Sequence, residues 1–310
     1  MLNKQTTVTV LITTMNKSTT LQGALESLLD QTLLPNEIVL IDDSEYSTID
    51  ENIFAKIPNT IILKHATNGC RKGANFSRNY GVAISTGELI LFLDDDDEFY
   101  SNKIETIVKE FQEGIFDVVY HPADINYIDY GYRYKSAPYK DINIENLLIT
   151  NCVGATSMVG VRKAFCAGKN IFDEHLPALQ DWDAWIGLVL RGARFRYIDA
   201  ELTKYRVQIG LKSTSKSVDQ HDFALGILNK KYSKELSSLS AFSCSKRMRH
   251  LVVLRALKLQ LSKRKFTASS NLLKEGFRRF DINMVCMAVV SALGVRVLVI
   301  CRVISAWSRN

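Results

Sequence analysis

The chain has 310 residues, of which 46% are hydrophobic and 23% charged, an ordinary composition for a globular protein with a sizeable core. Its formal net charge of +6 conceals a division, because residues 244–310 carry 14 Lys or Arg against two acidic residues while the remainder is net acidic. Six cysteines without CxxC spacing argue against a zinc site or a disulfide framework and favour reduced thiols. An acidic front and a basic tail indicate two separate tasks.

Apolar runs rich in β-branched residues alternate with helical patterns along the first hundred residues. Buried strands are predicted at Val8–Thr13, Glu37–Ile41 and Ile61–Lys64. The run Val8–Ile12 is far too short for the apolar region of a signal peptide, so we expect this part of the chain to stay in the cytosol. Strands that alternate with helices in this way predict a doubly wound α/β sheet.

The strand predicted at Leu89–Leu93 is followed at once by four carboxylates, Asp94–Asp97. Such a cluster repels itself unless a cation or hydrogen-bond donors lie among its oxygens. Mg²⁺ or Mn²⁺, bound through one or two carboxylates plus substrate phosphates, meets that need, and the alternative is a solvated acidic turn. Asp42 and Asp43 follow the second strand, so both acidic groups are expected at the sheet edge where open α/β proteins bind ligands.

Four segments of the chain occur in a defined order: TVLITTMN, QTLLPNEIVLIDDS, GANFSRNYGVAISTGELILFLDDDD and LQDWDAWIGLVLRGARFRYIDAELTKYRV. Together they resemble the family 2 inverting glycosyltransferases of the GT-A fold, over roughly two thirds of the sequence. The resemblance implies a Rossmann-like α/β sheet with helices on both faces. It also implies a nucleotide-sugar donor, most often a UDP-sugar, and a divalent metal, Mn²⁺ or Mg²⁺, at the acidic motif.

The resemblance assigns several residues to the donor nucleotide. Asp42, with Asp43 beside it, matches the acid that binds the nucleotide base, although Asp-Asp-Ser-Glu departs from the usual DDGS. Arg78 and Asn79 match a pair near the diphosphate, where arginine can fork onto phosphate oxygens. Arg206 matches the family's YR motif and is expected to assist the diphosphate, because the His that many members place nearby is missing. The alternatives to Arg206 are Lys212 and Ser213.

The acidic motif is assigned to the ribose and the metal. Asp94 and Asp96 match the two acids of the family's DxD motif, and Asp97 matches a further acid that many members carry. The resemblance implies that Asp96 and Asp97 hold the metal and that Asp94 faces the ribose. A metal there would bridge the carboxylates to the diphosphate and neutralise charge as the nucleotide leaves. Four consecutive acids leave the partition between them open.

Asp181 is the predicted general base. It matches the acid of the family's ED motif, with Gln180 in place of the usual Glu. Inverting transfer needs a carboxylate that takes the proton of the acceptor hydroxyl as its oxygen attacks the anomeric carbon. Asp183 competes for this role, and Asp181 could instead be a helix N-cap.

The middle of the chain is less informative. Further β segments are predicted at Asp117–Tyr120 and Asn151–Gly160. The tyrosine-rich loop between them could stack on acceptor sugars or could be an ordinary surface hairpin.

The tail is predicted to be a separate unit. We expect a catalytic domain over residues 1–220 and a helical, basic region over residues 221–310. The run Met284–Ile300 is marginal for a membrane-spanning helix, which needs about 20 apolar residues. A basic amphipathic segment suits an in-plane anchor on an anionic cytoplasmic leaflet, and the alternative is a helical subdomain packed on the core. The basic tail is accompanied by no motif of the kind that recognises nucleic acid bases, so we do not expect nucleic acid binding.

The resemblance therefore implies transfer of one sugar (Glc, Gal or an N-acetylhexosamine) from a UDP-sugar to a lipid-linked saccharide. The acceptor would be carried by a polyprenyl diphosphate in bacterial surface polysaccharide (O-antigen) biosynthesis, on the inner face of the cell membrane. One alternative is a sugar nucleotidyltransferase, but Thr13–Thr20 lacks the glycine-rich basic loop which that reaction needs. The other is a non-catalytic membrane- or partner-binding module, which the intact acidic motifs argue against.

Overall fold

The computed structural model describes residues 6–15, 20–47, 49–67, 69–166, 168–207, 218–261, 265–278 and 288. The predicted apolar run Met284–Ile300 therefore lies outside the described residues except for residue 288, and so do Lys212 and Ser213. Among the described residues, no helix is both long enough and apolar enough to cross a membrane.

The centre of the fold is a seven-stranded mixed sheet, with strands numbered in chain order. From one edge to the other the strands are β10 (Phe195–Tyr197), β6 (Val118–Tyr120), β9 (Val159–Arg162), β4 (Leu89–Asp94), β1 (Val8–Thr14), β2 (Glu37–Asp42) and β3 (Ile62–Thr67). Strands β4, β1, β2 and β3 run parallel to one another, whereas β9 is antiparallel to both of its neighbours. The predicted α/β sheet is confirmed.

A smaller four-stranded sheet lies against the end of the large one. Its spatial order is β5 (Glu98–Phe99), β11 (Thr203–Val207), β7 (Ala123–Tyr127) and β8 (Tyr132–Lys135). Strands β7 and β8 form an antiparallel hairpin that accounts for most of the tyrosine-rich loop, and the Tyr127 and Tyr134 rings stack with centroids 6.2 Å apart. Strand β5 begins directly after the acidic cluster and pairs with β11.

Helices cover both faces of the large sheet, as predicted. The helices of the described residues are α1 (Leu21–Leu29), α2 (Ala74–Ile84), α3 (Lys103–Glu113), α4 (Ile144–Ile149), α5 (Lys163–Cys166), α6 (Gln180–Leu190), α7 (Val218–Lys231), α8 (Ser233–Ser237), α9 (Ala241–Leu261) and α10 (Lys265–Arg278). Of these, α10 packs with α9. Because alternate strand residues face opposite sides, Leu91 packs with α1 and α3, whereas Phe92 packs with α2, α4 and α6. The central strands are buried on both faces, which explains their continuous apolar runs.

Two features differ from expectation. Most of the segment predicted as β at Asn151–Gly160 is a loop and a 3₁₀ turn, and only Val159–Arg162 pairs in the sheet. Gly154, with φ of +123°, adopts a conformation unsuited to a strand. In addition, α7 and α9 contribute Leu228 and Leu251 to the same core as Trp182 of α6. Helices of the predicted tail region therefore share a core with the sheet, while the boundary at residue 220 stays a prediction.

Candidate active site

The carboxyl ends of the parallel strands bring the predicted acids to one edge. Strand β1 lies between β2 and β4, with Thr14 opposite Asp42 and Thr13 opposite Asp94 in the pairing register. The acids that end β2 and β4 therefore lie at one edge of the sheet, as predicted, with one strand between them. This edge is where open α/β sheets bind their ligands.

Asp94 is held by side chains from two directions. Its carboxylate accepts a hydrogen bond from Arg78 Nη2 at 2.6 Å and another from Thr156 Oγ1 at 2.9 Å. Its backbone N–H donates to Ser157 Oγ at 3.0 Å. The structure thus places two predicted donor-site residues, Arg78 on α2 and Asp94 on β4, in direct contact.

The chain turns sharply after Asp94 instead of continuing as a strand, because the Asp97 N–H donates to the Asp94 carbonyl at 3.0 Å. Asp96 lies exposed at the turn, whereas Asp97 is folded inward and is 1% exposed. One Asp97 oxygen accepts the Arg206 N–H at 3.0 Å, and the other has no hydrogen-bond partner among the described residues. Of the two predicted metal ligands, only Asp96 is therefore open to a ligand, and Asp97 lies beneath it.

The carboxylates of this turn disfavour one another's charge. Partial removal of water and the charge of Asp94 raise the pKa of Asp95 to about 6, although a 2.5 Å hydrogen bond from Thr14 Oγ1 opposes this shift. Asp96 is exposed, yet the loss of water to the surrounding protein and the charges of Asp94 and Asp95 raise its pKa to about 7. Burial and the charges of Asp96 and Asp94 raise the pKa of Asp97 well above its usual range. A cation bound at the turn would relieve this repulsion.

The donor set fits a metal completed by substrate. In the described part of the chain, no three His, Cys, Asp or Glu side chains are grouped so as to hold a metal ion alone. Mg²⁺, however, is commonly bound through one or two carboxylates together with substrate phosphates. Exposed Asp96, crowded by like charge, is the carboxylate in this turn that best suits such a site.

Two further residues predicted near the nucleotide behave differently from each other. Asp42 is fully buried, and its Oδ1 accepts the Ser44 N–H at 2.9 Å while its Oδ2 has no partner among the described residues. The Asp43 carboxylate accepts the N–H groups of Lys72 and Gly73 at 2.9 and 2.8 Å. Asp43 therefore fixes the loop before α2, whereas Asp42 retains an unused acceptor.

Asn79 is a clamp. Its amide donates to Phe172 O at 2.8 Å and to Glu174 Oε1 at 2.9 Å, and its carbonyl accepts the N–H groups of Ile171 and Phe172. These four bonds attach α2 to the segment that leads to α6. These bonds give Asn79 a structural task, and its assignment to the diphosphate stays a prediction from the resemblance.

Arg206 approaches the acidic turn from the small sheet. Its guanidinium pairs with Glu98, which also pairs with Lys204 at 3.1 Å. The Arg206 side chain is 30% exposed, and its charge opposes the rise in the pKa of Asp96. Arg206 and Arg78 thus flank the acids from two sides.

Asp181 lies in the first turn of α6, as predicted. One carboxylate oxygen accepts the Trp182 N–H at 2.8 Å and the other accepts Asn151 Nδ2 at 3.0 Å. The preceding Leu179 has φ of 61° and ψ of 24°, a left-handed conformation that is costly for leucine and is concentrated at functional sites. The Asp181 side chain is half-buried.

The structure separates Asp181 from its competitor. Asp183 is 2% exposed, and its carboxylate accepts Tyr232 Oη at 2.6 Å and Lys231 Nζ at 2.8 Å. Lys231 also pairs with Asp173 at 2.9 Å. Asp183 is thus bonded into a structural network between α6 and α7.

Burial raises the pKa of the Tyr205 hydroxyl well above its usual range, and the charges of Asp97, Asp94, Asp96 and Asp181 act in the same direction. The loop over residues 151–157 contacts acids of both regions directly, because Asn151 Nδ2 donates to Asp181 and Thr156 Oγ1 donates to Asp94.

Sequence reasoning missed three groups here. Asn151 lay within a predicted strand, and neither Tyr205 nor Lys103 was singled out. Lys103 is fully buried behind the acidic turn, where its Nζ donates to Ser157 O at 2.5 Å and to Thr203 Oγ1 at 2.9 Å. Burial lowers the pKa of Lys103 well below its usual range. No periodicity in a single sequence signals such contacts.

Comparison with known proteins gives one consistent result. A family model described as Glycosyl transferase family 2 matches residues 9–167, just over half of the chain. An uncharacterised glycosyltransferase of Haemophilus influenzae is 26% identical over 239 residues, covering 76% of this chain and 80% of that protein. A Rickettsia felis relative is 28% identical over 72% of this chain, but the match covers only 36% of that longer protein.

Two further proteins carry more specific descriptions. The Escherichia coli protein WfaP, described as a UDP-Glc:alpha-D-GlcNAc-diphosphoundecaprenol beta-1,3-glucosyltransferase, is 29% identical over 67% of this chain and 80% of its own length. The crystal structure of S. aureus TarS 1–349 superposes with a TM-score of 0.53 at 16% identity, covering 89% of this chain and 92% of TarS 1–349. The structural likeness shows a shared fold.

Proposed function

Because the chain belongs to glycosyltransferase family 2, we propose that it is an inverting hexosyltransferase that moves one sugar from a UDP-sugar to a lipid-linked saccharide. The observation that carries this proposal is that one loop, residues 151–157, binds both Asp181 and Asp94, through Asn151 Nδ2 at 3.0 Å and Thr156 Oγ1 at 2.9 Å. The candidate base and an acid of the proposed donor site are thereby held by the same segment.

The descriptions of two similar proteins support the substrate classes. WfaP is described as acting on UDP-Glc and a diphosphoundecaprenol-linked GlcNAc, and TarS has been crystallised with UDP-GlcNAc and with UDP. For this chain we infer UDP-Glc, UDP-Gal or a UDP-N-acetylhexosamine as donor. The acceptor would be a saccharide on a polyprenyl diphosphate, within bacterial surface polysaccharide (O-antigen) biosynthesis.

The proposed donor site combines an unused acceptor with two cations. Asp42 is proposed for an N–H of the nucleotide base, because its Oδ2 is a buried acceptor without a partner among the described residues. Since Asp42 is 0% exposed, the base would reach this oxygen only after the surrounding loop moves. Asp94 would face the ribose. Arg78 and Arg206 flank the acidic turn and suit the diphosphate, whose oxygens a guanidinium can bind in a forked arrangement.

The metal, Mn²⁺ or Mg²⁺, is proposed at Asp96, with the donor phosphates completing its ligands. When bound, it would neutralise the charge that develops on the departing diphosphate. The exposure of Asp96 and the charges of Asp94 and Asp95 beside it support this assignment. Asp97, which is buried below the turn, would support Asp96 from behind.

Asp181 is proposed as the general base. Its carboxylate would accept the proton of the acceptor hydroxyl as that oxygen forms the new bond to the anomeric carbon, on the face opposite the leaving diphosphate. Attack from that face inverts the configuration. Hydrogen bonds from Asn151 and the Trp182 N–H orient the carboxylate, whereas the oxygens of Asp183 are occupied by Lys231 and Tyr232.

We propose a peripheral position on the cytoplasmic face of the cell membrane and no nucleic acid partner. On helix α9, which has no acidic residue, Lys246 and Arg249 are exposed, and Phe242 near its start is 78% exposed. A basic helix with an exposed aromatic side chain suits anionic lipid headgroups. Such a position would bring the active site to a lipid-linked acceptor.

The test is UDP release from UDP-Glc, UDP-Gal, UDP-GlcNAc and UDP-GalNAc, with and without a polyprenyl-diphosphate saccharide, in Mn²⁺, Mg²⁺ or EDTA. We expect release from one donor, stimulated by the acceptor and lost in EDTA and in Asp96→Ala. Release that is equally fast in EDTA and in the variant would overturn the metal assignment. Formation of a nucleotide-sugar from a sugar phosphate would instead indicate a nucleotidyltransferase.

A further inference from the structure

The hydrogen bond between Asn151 and Asp181 joins two segments whose neighbouring residues are both held by one helix. Thr150 precedes Asn151 at the end of α4, and Trp182 follows Asp181 in α6. The Trp182 indole donates to Leu147 O of α4 at 2.5 Å, so the two segments also contact each other directly. Whatever fixes Trp182 and the end of α4 therefore fixes the geometry of the base.

Helix α9 makes these contacts through Arg247 and His250. The Arg247 guanidinium donates to Leu148 O and lies 5.5 Å from the centre of the Trp182 ring. The His250 Nε2 lies 3.0 Å from Thr150 Oγ1, and its ring meets the Trp182 ring edge-on with centroids 6.1 Å apart. Each residue thus contacts both the α4 end and Trp182.

The cost of burying Arg247 supports a positioning task. Its side chain is 7% exposed, and its described hydrogen-bond partners, Leu148 O and Asn229 Oδ1 at 2.7 Å, are both neutral. A buried cation without a carboxylate partner contributes little to stability. The free-energy cost of removing the charge from water offsets the favourable free energy of its hydrogen bonds to neutral acceptors. Its two hydrogen bonds, in contrast, join Leu148 O of α4 to Asn229 Oδ1 of α7, while the guanidinium lies over the Trp182 ring of α6.

We propose that Arg247 and His250 of α9 are positioning residues for Asp181, because together they contact Leu148 and Thr150 on the Asn151 side of the hydrogen bond and Trp182 on the Asp181 side. This inference rests on the proposed function, in which Asp181 is the base. It assigns part of the catalytic arrangement to a helix that lies well beyond residues 9–167, where the family model matches. The basic tail region would then serve turnover itself, in addition to any role at a membrane.

The test compares Arg247→Met and His250→Ala with the control Arg255→Met. Arg255 lies on the same helix but forms only a surface pair with Asp222 in the described contacts. Turnover is measured as UDP release, and UDP affinity by calorimetry reports whether the donor site is intact. We expect Arg247→Met to lower kcat about tenfold to a hundredfold, as displacement of a catalytic group by about 1 Å does. UDP affinity and the donor KM should stay unchanged, and Arg255→Met should match the wild type.

A combination with Asp181→Asn separates positioning from general damage. If Arg247 acts through the base, Arg247→Met should cause no further loss of residual turnover in the Asp181→Asn background. An equal fold-loss in both backgrounds would overturn the proposal, because a smaller folded fraction lowers both alike. Should Arg247→Met fail to fold, His250→Ala provides the same comparison. If Asp181→Asn itself retains full turnover, the base assignment fails instead, and the two failures are thereby distinguished.

Discussion

The two acids of α6 provide a sharp comparison, because the structure gives them opposite tasks. Asp183→Asn removes a charge that is bonded to Tyr232 and Lys231, whereas Asp181→Asn removes a half-buried carboxylate oriented by Asn151. We predict that the first variant loses stability but keeps turnover close to wild type. We predict that the second keeps stability and loses turnover.

The expected loss for Asp183→Asn follows from its contacts. The buried bond from Tyr232 to a carboxylate is worth about 1.5–3 kcal/mol. Lys231 is 38% exposed and retains Asp173, so its pair with Asp183 adds less than about 1 kcal/mol. A total of about 2–3 kcal/mol lowers the Tm by about 3–5 °C, since a chain of 310 residues shifts by about 1.5 °C per kcal/mol.

Thermal melting and UDP release on the same preparations measure both effects. Asp181→Asn should melt near the wild type and lose at least about a hundredfold in turnover, which is the lower range for a general base. The reasoning would be refuted by the reverse result. That result is an Asp183→Asn variant that melts normally without turning over, together with an active Asp181→Asn variant.

Three further predictions concern neighbouring residues. Arg78→Met should weaken UDP binding by about tenfold or more, measured by calorimetry, because it removes a cation from the diphosphate site; unchanged affinity would exclude that role. Asn79→Ala should lower the free energy of unfolding by about 3–5 kcal/mol, because backbone groups of Ile171 and Phe172 lose their hydrogen-bond partners. A measured Tm within 1–2 °C of wild type (roughly 1 kcal/mol) would contradict this. Burial and the charge of Lys103 hold the pKa of His121 well below its usual range. Below about pH 6.5, His121 therefore binds a proton in the unfolded state but not in the folded state. Stability should therefore fall by up to about 1.4 kcal/mol per pH unit as the pH drops, and urea titrations of His121→Gln should show a shallower fall.

The sheet and the edge that carries the site followed from the sequence, because strands buried on both faces are written as continuous apolar runs. The placement of acids after β2 and β4 was predictable for the same reason. Asp181 at the start of α6 followed from the family resemblance and from the apolar helical pattern behind it. These features depend on local sequence or on motif order.

The different contacts and exposure of the individual acids could not be predicted from the sequence in the same way. Asp94–Asp97 form a tight turn, and the hydrogen bond from the Asp97 N–H to the Asp94 carbonyl directs Asp97 inward. The contacts that occupy Asp183 come from residues almost 50 positions away, and Asn151 reaches Asp181 across 30 positions. Gly154 interrupts a segment whose composition favoured a strand. Each of these features depends on tertiary contacts, and the composition and periodicity of the sequence carry no information about them.

The most direct test of the account is calorimetric titration of UDP in the presence and absence of Mn²⁺, for the wild type, Asp96→Asn and the exposed control Asp30→Asn. We expect Mn²⁺ to tighten UDP binding at least about tenfold, or 1.4 kcal/mol, in the wild type and in Asp30→Asn. We also expect the gain to disappear in Asp96→Asn while metal-free binding persists. An equal gain in Asp96→Asn, or no gain in the wild type, would contradict a metal-assisted nucleotide site at this edge.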